Sequence, residues 1–310
     1  MVVAPQHRLA ATSNVGDAAL GKRARMEAER LAEGGEPEQS SSRPKTNRLR
    51  ERTMSSELKG LVGLVLGSLF LTNAPAFAQK PVQTNVDQRV VVAFRVPETA
   101  LKGWLPPPWE SNPIAAGPSK DANLLISFID RLVNHDADGK LIATGVDRVV
   151  SIAIPARNPQ TGETAPFAVR EFNANVQAVP GPYKTAVPAS IMRQGTFAGA
   201  GLEPGSGSEF WEIKEDQGAE AIIQLRFEYQ RGAPARTKSE LRLRSPVDPA
   251  FFRIYRFDAG MDVVKGVGSE RVKNIVFSAT GAEMKRFFDG SHAIISVTVM
   301  PWYVREVFLP

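Results

Sequence analysis

"FWEIKEDQGAEAIIQLRFEYQRG" (210–232) alternates apolar and polar residues, breaks at Asp216-Gln217-Gly218 and alternates again, the pattern of a β-hairpin with one covered face. Other runs repeat the theme. "RVVVAFRV" (89–96), "NLLISFIDRLVN" (123–134) and "DRVVSIAIPA" (147–156) are β-branched, aromatic and short. "SELRLRS", "FFRIYRFDAGMDVVKG" and the closing "AIISVTVMPWYVREVFLP" add further strands. Turn chemistry separates them: "DADGK" after the second run and "RNPQTGET" after the third. Helical signals are sparse. "PETALKGW" starts with Pro97 and Glu98, as a first helical turn does, and Pro106-Pro107-Pro108 stops it; "GAEMKRFFDG" (281–290) predicts a second short helix. Many short strands with few helices predict an antiparallel all-β or α+β fold. Prolines 180, 182 and 188 predict edge segments and loop over 179–191, and the Gly-rich 199–207 is the expected joint, if the domain has one.

Upstream of this region, Leu61–Leu71 is an apolar run of 11 residues. A membrane-spanning helix needs about 20. Lys59 precedes the run and Ala76-Phe77-Ala78 follows it, so the segment reads as a signal peptide, 54–78, starting at Met54 and cleaved after Ala78. That predicts a periplasmic or secreted protein, with no stable membrane insertion after cleavage. Residues 1–53 are charged and rich in Ser, Pro and Gly, and read as a disordered upstream extension. The expected domain is 79–310.

That domain holds 27 basic and 25 acidic residues, so the basic balance of the whole chain comes largely from upstream and gives no reason to expect a nucleic-acid partner. The alternating arginines of "LRLRS" and "FRIYRF" (Arg242, Arg244, Arg253, Arg256) read as a solvated strand face. The chain has no cysteine, which excludes thiol nucleophiles and thiolate metal sites, and only His135 and His292 fall in the domain. "NHDADGK" matches four positions of an EF-hand loop, but Gly145 stands where the bidentate Glu belongs; it reads as a hairpin turn. No metal and no cofactor is expected.

"VPGPYKTAVPAS" carries the most chemistry. Lys184, between Tyr183 and Thr185, has apolar flanks; a lysine that loses hydration loses its proton more easily and attacks carbonyls. Glu171 precedes it and Arg193 follows it, and an arginine holds a carboxylate bidentately. The alternative is a surface lysine on an edge segment.

"VVVAFRVPETALKGWLPPPWE" (90–110), followed in order by "LLISFIDRLVNHDADG", "VVSIAIPA" and the closing strand, resembles the acetoacetate decarboxylase-like proteins. The resemblance implies a mainly antiparallel, cone-shaped β-barrel of α+β class with a central cavity and a few short helices. It also implies Schiff-base chemistry at a lysine, here matched by Lys184, with Arg89 and Asp130 as substrate-binding positions. The family's Gly-Arg-Glu and its second lysine are missing beside Tyr183-Lys184. Three functions follow. In order, they are a barrel that binds a small carbonyl, carboxylate or apolar compound without decarboxylating acetoacetate; a lyase on small oxo acids using Lys184; and an envelope interaction protein with a filled barrel. The oligomeric state is left open.

Overall fold

The computed structural model describes residues 79–142, 145, 147–200, 202–215 and 221–310. The upstream extension, the signal segment and the turn at Asp216-Gln217-Gly218 lie outside them. Among the described residues no helix is long and apolar enough to cross a membrane.

Among the described residues thirteen strands follow one another: β1 (Lys80–Arg95), β2 (Glu110–Ser111), β3 (Leu124–Asp136), β4 (Asp147–Arg157), β5 (Thr164–Asn173), β6 (Ala186–Ala198), β7 (Ser206–Glu215), β8 (Ala221–Gln230), β9 (Ala235–Arg244), β10 (Phe252–Gly266), β11 (Ser269–Glu270), β12 (Val272–Ala279) and β13 (Ala293–Leu309). Among the described residues, helix is limited to Gly281–Met284 and two 3-10 turns, Glu98–Leu101 and Val176–Ala178. The fold is thus mainly antiparallel β with a few short helices, as expected.

Seven strands close into a ring in the order β1, β13, β10, β9, β5, β4, β3 and back to β1. All neighbours in it are antiparallel except β5 and β9, which meet in parallel through one bridge, Phe167 to Arg244. From β5 a second sheet branches off. β6 pairs with it in parallel over Ala186–Pro188, and β7, β8 and β12 follow antiparallel.

This branch lies against the outside of the ring, which explains where the apolar residues go. Val90, Val92 and Phe94 of β1, Leu124, Ile126 and Phe128 of β3, and Val150, Ile152 and Ile154 of β4 form one core with Trp211, Ile213, Ile223, Leu225 and Phe227 of the branch. Each such side chain contributes about 1.5–3 kcal/mol by leaving water. Successive strand residues face opposite ways, so the alternate residues of β1, β3 and β4 line the inside of the ring. The main core is therefore outside the ring, and the lumen holds what is left.

Three expectations are corrected. β6 is an interior strand, not an edge; Pro188 fits because the short parallel pairing ends there, with Asn173 opposite. The Gly-rich stretch is the connection between adjacent strands β6 and β7, not a joint between domains. Arg253, expected on a solvated face, lines the lumen. The "DADGK" turn is held by Asp136 Oδ1, which accepts from the backbone N–H groups of Asp138 (3.0 Å) and Lys140 (2.9 Å).

Candidate ligand cavity

All seven ring strands contribute to a cavity of about 400 Å³. Arg89, Arg131, Arg253 and Arg305 line it, with Asp147 and Glu171, and Tyr183, Tyr255 and Tyr303. Most of the charged groups are fixed by one another. Arg89 Nη2 donates to Asp87 Oδ2 at 2.5 Å and its guanidinium lies 3.6 Å from the Tyr303 ring centre. Arg305 Nε donates to Asn85 Oδ1 at 2.9 Å and sits 3.8 Å from Asp87 Oδ2. Asn85 in turn donates to Asn134 (2.7 Å), and Asn134 to Asp147 (2.9 Å), which also accepts from Arg131 at 3.3 Å. The chain of bonds holds this polar wall in place before any ligand arrives, which lowers the cost of ordering it on binding.

Arg253 is the exception. Its Nε, like that of Arg131, is buried without a hydrogen-bond partner, but Arg131 is held by Asp147 whereas Arg253 has no ion pair or side-chain hydrogen bond among the described residues. A guanidinium has five N–H donors and no acceptor, so a buried one left short of partners favours an anion. The charge sum points the same way: four arginines face three carboxyl groups, those of Asp87, Asp147 and Glu171. Burial pushes the Glu171 carboxyl above its ordinary value of 4.5, against the opposing pull of Arg131, Arg305 and Arg253. Burial, then the neighbouring Tyr255, holds the Tyr183 hydroxyl well above its ordinary value, so it stays protonated and shares a hydrogen bond with the Tyr255 hydroxyl. Burial and Arg305 pull the Arg89 guanidinium below its ordinary value.

The Glu171 shift has a testable sign. A carboxyl whose pKa rises on folding stabilises the fold fully below its unfolded value, and that contribution is lost as pH rises through the folded value. Glu171→Gln is neutral at every pH. The stability of the wild type minus that of this variant is expected to fall as pH rises from about 4.5. Urea unfolding of both proteins at a series of pH values measures it; a constant difference contradicts the assignment.

The expected site residues part company. Arg89 and Glu171 both line the cavity, and Arg89 also borders the groove that holds Asp130 and Arg193. Asp130 and Arg193 pair with each other at 3.0 Å, but in a groove on the outer side of the ring, where the branch abuts it. There Arg193 also binds Gln88 (2.7 Å) and Glu209 (2.8 Å), and Asp130 binds Arg148 (3.2 Å). This cluster ties three ring strands to two branch strands and is saturated by its own partners. Lys184 is in neither place. Tyr183 points inward and is buried; Lys184 follows with φ +58° and is exposed, beside Trp104, Pro106, Arg170 and Val247 in a surface cleft. That cleft is open to solvent and separate from the lumen. None of the described residues lining the cavity is a lysine.

Sequence reasoning missed Arg131, Arg253 and Arg305. The alternation of Arg253 with Tyr255 marked its strand face but not what that face meets.

No protein-family model matches the chain, and no curated protein matches it. Among solved structures it is similar to an acetoacetate decarboxylase-like enzyme from Sphingomonas wittichii RW1, with 11% identity and a TM-score of 0.49 over 79% of this chain and 98% of that one. It is also similar to the enduracididine biosynthesis enzyme MppR complexed with pyruvate, with 12% identity and a TM-score of 0.46 over 80% and 96%. Acetoacetate decarboxylase from Legionella pneumophila gives 12% identity and a TM-score of 0.44 over 78% and 91%. The likeness is to the acetoacetate decarboxylase-like fold. At these identities it is a likeness of strand arrangement alone.

Proposed function

We propose that this protein is an exported, non-catalytic binding protein whose ring lumen takes a small compound bearing a carboxylate. The observation that carries this reading is Arg253, a lumen guanidinium with a buried, unpartnered Nε inside an enclosure that already has a surplus of positive charge. The cavity volume falls within the roughly 300–1,000 Å³ typical of small-molecule sites. The absence of a lysine among the described lining residues, and the exposed position of Lys184, favour binding over Schiff-base catalysis. Export rests on the signal-like segment 54–78.

The test is calorimetric titration of the full chain with pyruvate, acetoacetate and butyrate. At least one is expected to bind, and Arg253→Met is expected to weaken it about 10- to 100-fold, the worth of a charge-assisted hydrogen bond. Borohydride treatment in the presence of the same oxo acids is expected to trap no adduct at Lys184 beyond that on other exposed lysines. Unchanged affinity in Arg253→Met, or an adduct confined to Lys184, overturns the reading.

A further inference from the structure

The lumen has two unlike walls, and strand register shows that the apolar one is continuous. Leu125 lies opposite Ala153, and Pro155 lies opposite Pro166 on the next strand. The bridge from Phe167 to Arg244 then puts Pro166 next to Leu243, with Leu241 two residues along on the same face. Leu125, Ala153, Pro166, Leu241 and Leu243 all line the cavity and carry no polar side-chain atom. The arginine wall borders it: Arg253 stands across from Leu243 on β10, Arg131 lies further along β3 from Leu125, and Arg89 and Arg305 stand on β1 and β13.

Exposed aliphatic side chains also stand at the rim, among the polar Asn134 and Asn175. Ile142 lines the cavity and is 47% exposed; Leu141 beside it is 52% exposed. Val176, between the lining residues Asn175 and Ala178, is 54% exposed. Large aliphatic groups left in water at a cavity opening mark a contact surface for apolar matter. A three-carbon oxo acid would satisfy the arginines and leave the aliphatic wall uncovered.

We infer that the ligand is an amphiphile: a carboxylate, held on the arginine wall, joined to a hydrocarbon group of several carbons that covers Leu125, Leu241 and Leu243. This rests on the carboxylate reading above and narrows it.

The experiment titrates the full chain, by calorimetry, with straight-chain monocarboxylates from acetate to octanoate, with pyruvate and 1-octanol alongside. Affinity is expected to climb about fourfold per methylene and to level off once the aliphatic wall is covered. Leu243→Ser and, separately, Leu241→Ser are expected to weaken octanoate about tenfold or more. The two variants guard against a folding defect in either. If pyruvate and acetate bind as well as octanoate, the amphiphile inference is overturned and the carboxylate reading stands. If octanol binds as tightly as octanoate, the carboxylate reading falls. If none of the compounds binds, both fall.

Discussion

Trp211→Ala is expected to destabilise the protein by about 3–5 kcal/mol, the range for deleting a large aromatic side chain from a packed core. Trp211 is fully buried between ring and branch. Its ring centre is 5.5 Å from that of Phe128 on β3, and its indole N–H donates to Glu209 Oε2 at 3.1 Å. Glu209 in turn holds Arg193, so the indole anchors both the apolar core and the ion-pair cluster above it. The surrounding residues sit on two sheets whose strands are hydrogen-bonded on both sides, so collapse into the vacated volume is limited. Since domains of this kind are stable by only about 5–15 kcal/mol, the loss is a large share of the total. Urea unfolding of the wild type and the variant measures it. Trp211→Phe restores most of the volume and is expected to recover more than half of the loss, leaving Glu209 one donor short. A loss under about 1 kcal/mol in Trp211→Ala would mean that the branch contributes little to stability.

Asp87→Ala is expected to cost about as much for a different reason. Asp87 is fully buried, accepts from Arg89 at 2.5 Å and lies 3.8 Å from Arg305, both themselves almost wholly buried. Removing one member of a buried ion pair costs about 3–5 kcal/mol, because the charge left behind has lost both water and partner. Here two guanidiniums are left. Combining Asp87→Ala with Arg89→Met is expected to be less damaging than Asp87→Ala alone, since it removes one of the stranded charges. Thermal or urea unfolding of the single and double variants decides it. A double variant less stable than the single one would show that Arg89 does not depend on Asp87.

The strands were legible in the sequence because alternation is a local property: β7 and β8 follow directly from "FWEIKE" and "AIIQLRFEY". The face each strand turns to the lumen was not. Alternation predicts polar residues outside and apolar residues inside. Here the branch covers the outside of β1, β3 and β4 and inverts the rule, so their apolar residues face out of the ring. Arg253, on β10, was read as solvated for another reason: it was grouped with Arg256, but three residues apart on a strand the two face opposite ways, and the lumen takes Arg253 with Tyr255. The same period of two separates Asp130, in the outer cluster, from Arg131, in the cavity, and a single step along the strand exchanges them. Lys184 beside Tyr183 repeats the lesson in a loop, where a left-handed backbone turns one side chain in and the next out. The segment Val272–Ala279 gave no strand signal, interrupted as it is by Lys273 and Asn274; its pairing with β8 is irregular at that place, and Asn274 takes φ +53°.

The single bridge between β5 and β9 gives the ring a seam. Elsewhere each joint is stitched by a run of paired residues; at the seam two edges are brought side by side and barely sewn. Pro166 and Leu243 stand on either lip of it, and both face the lumen. Whatever lies against that wall touches both lips at once and acts as a patch on the inside of the cloth. A compound held there stabilises the closed ring, by its own concentration, over any state in which β5 and β9 part.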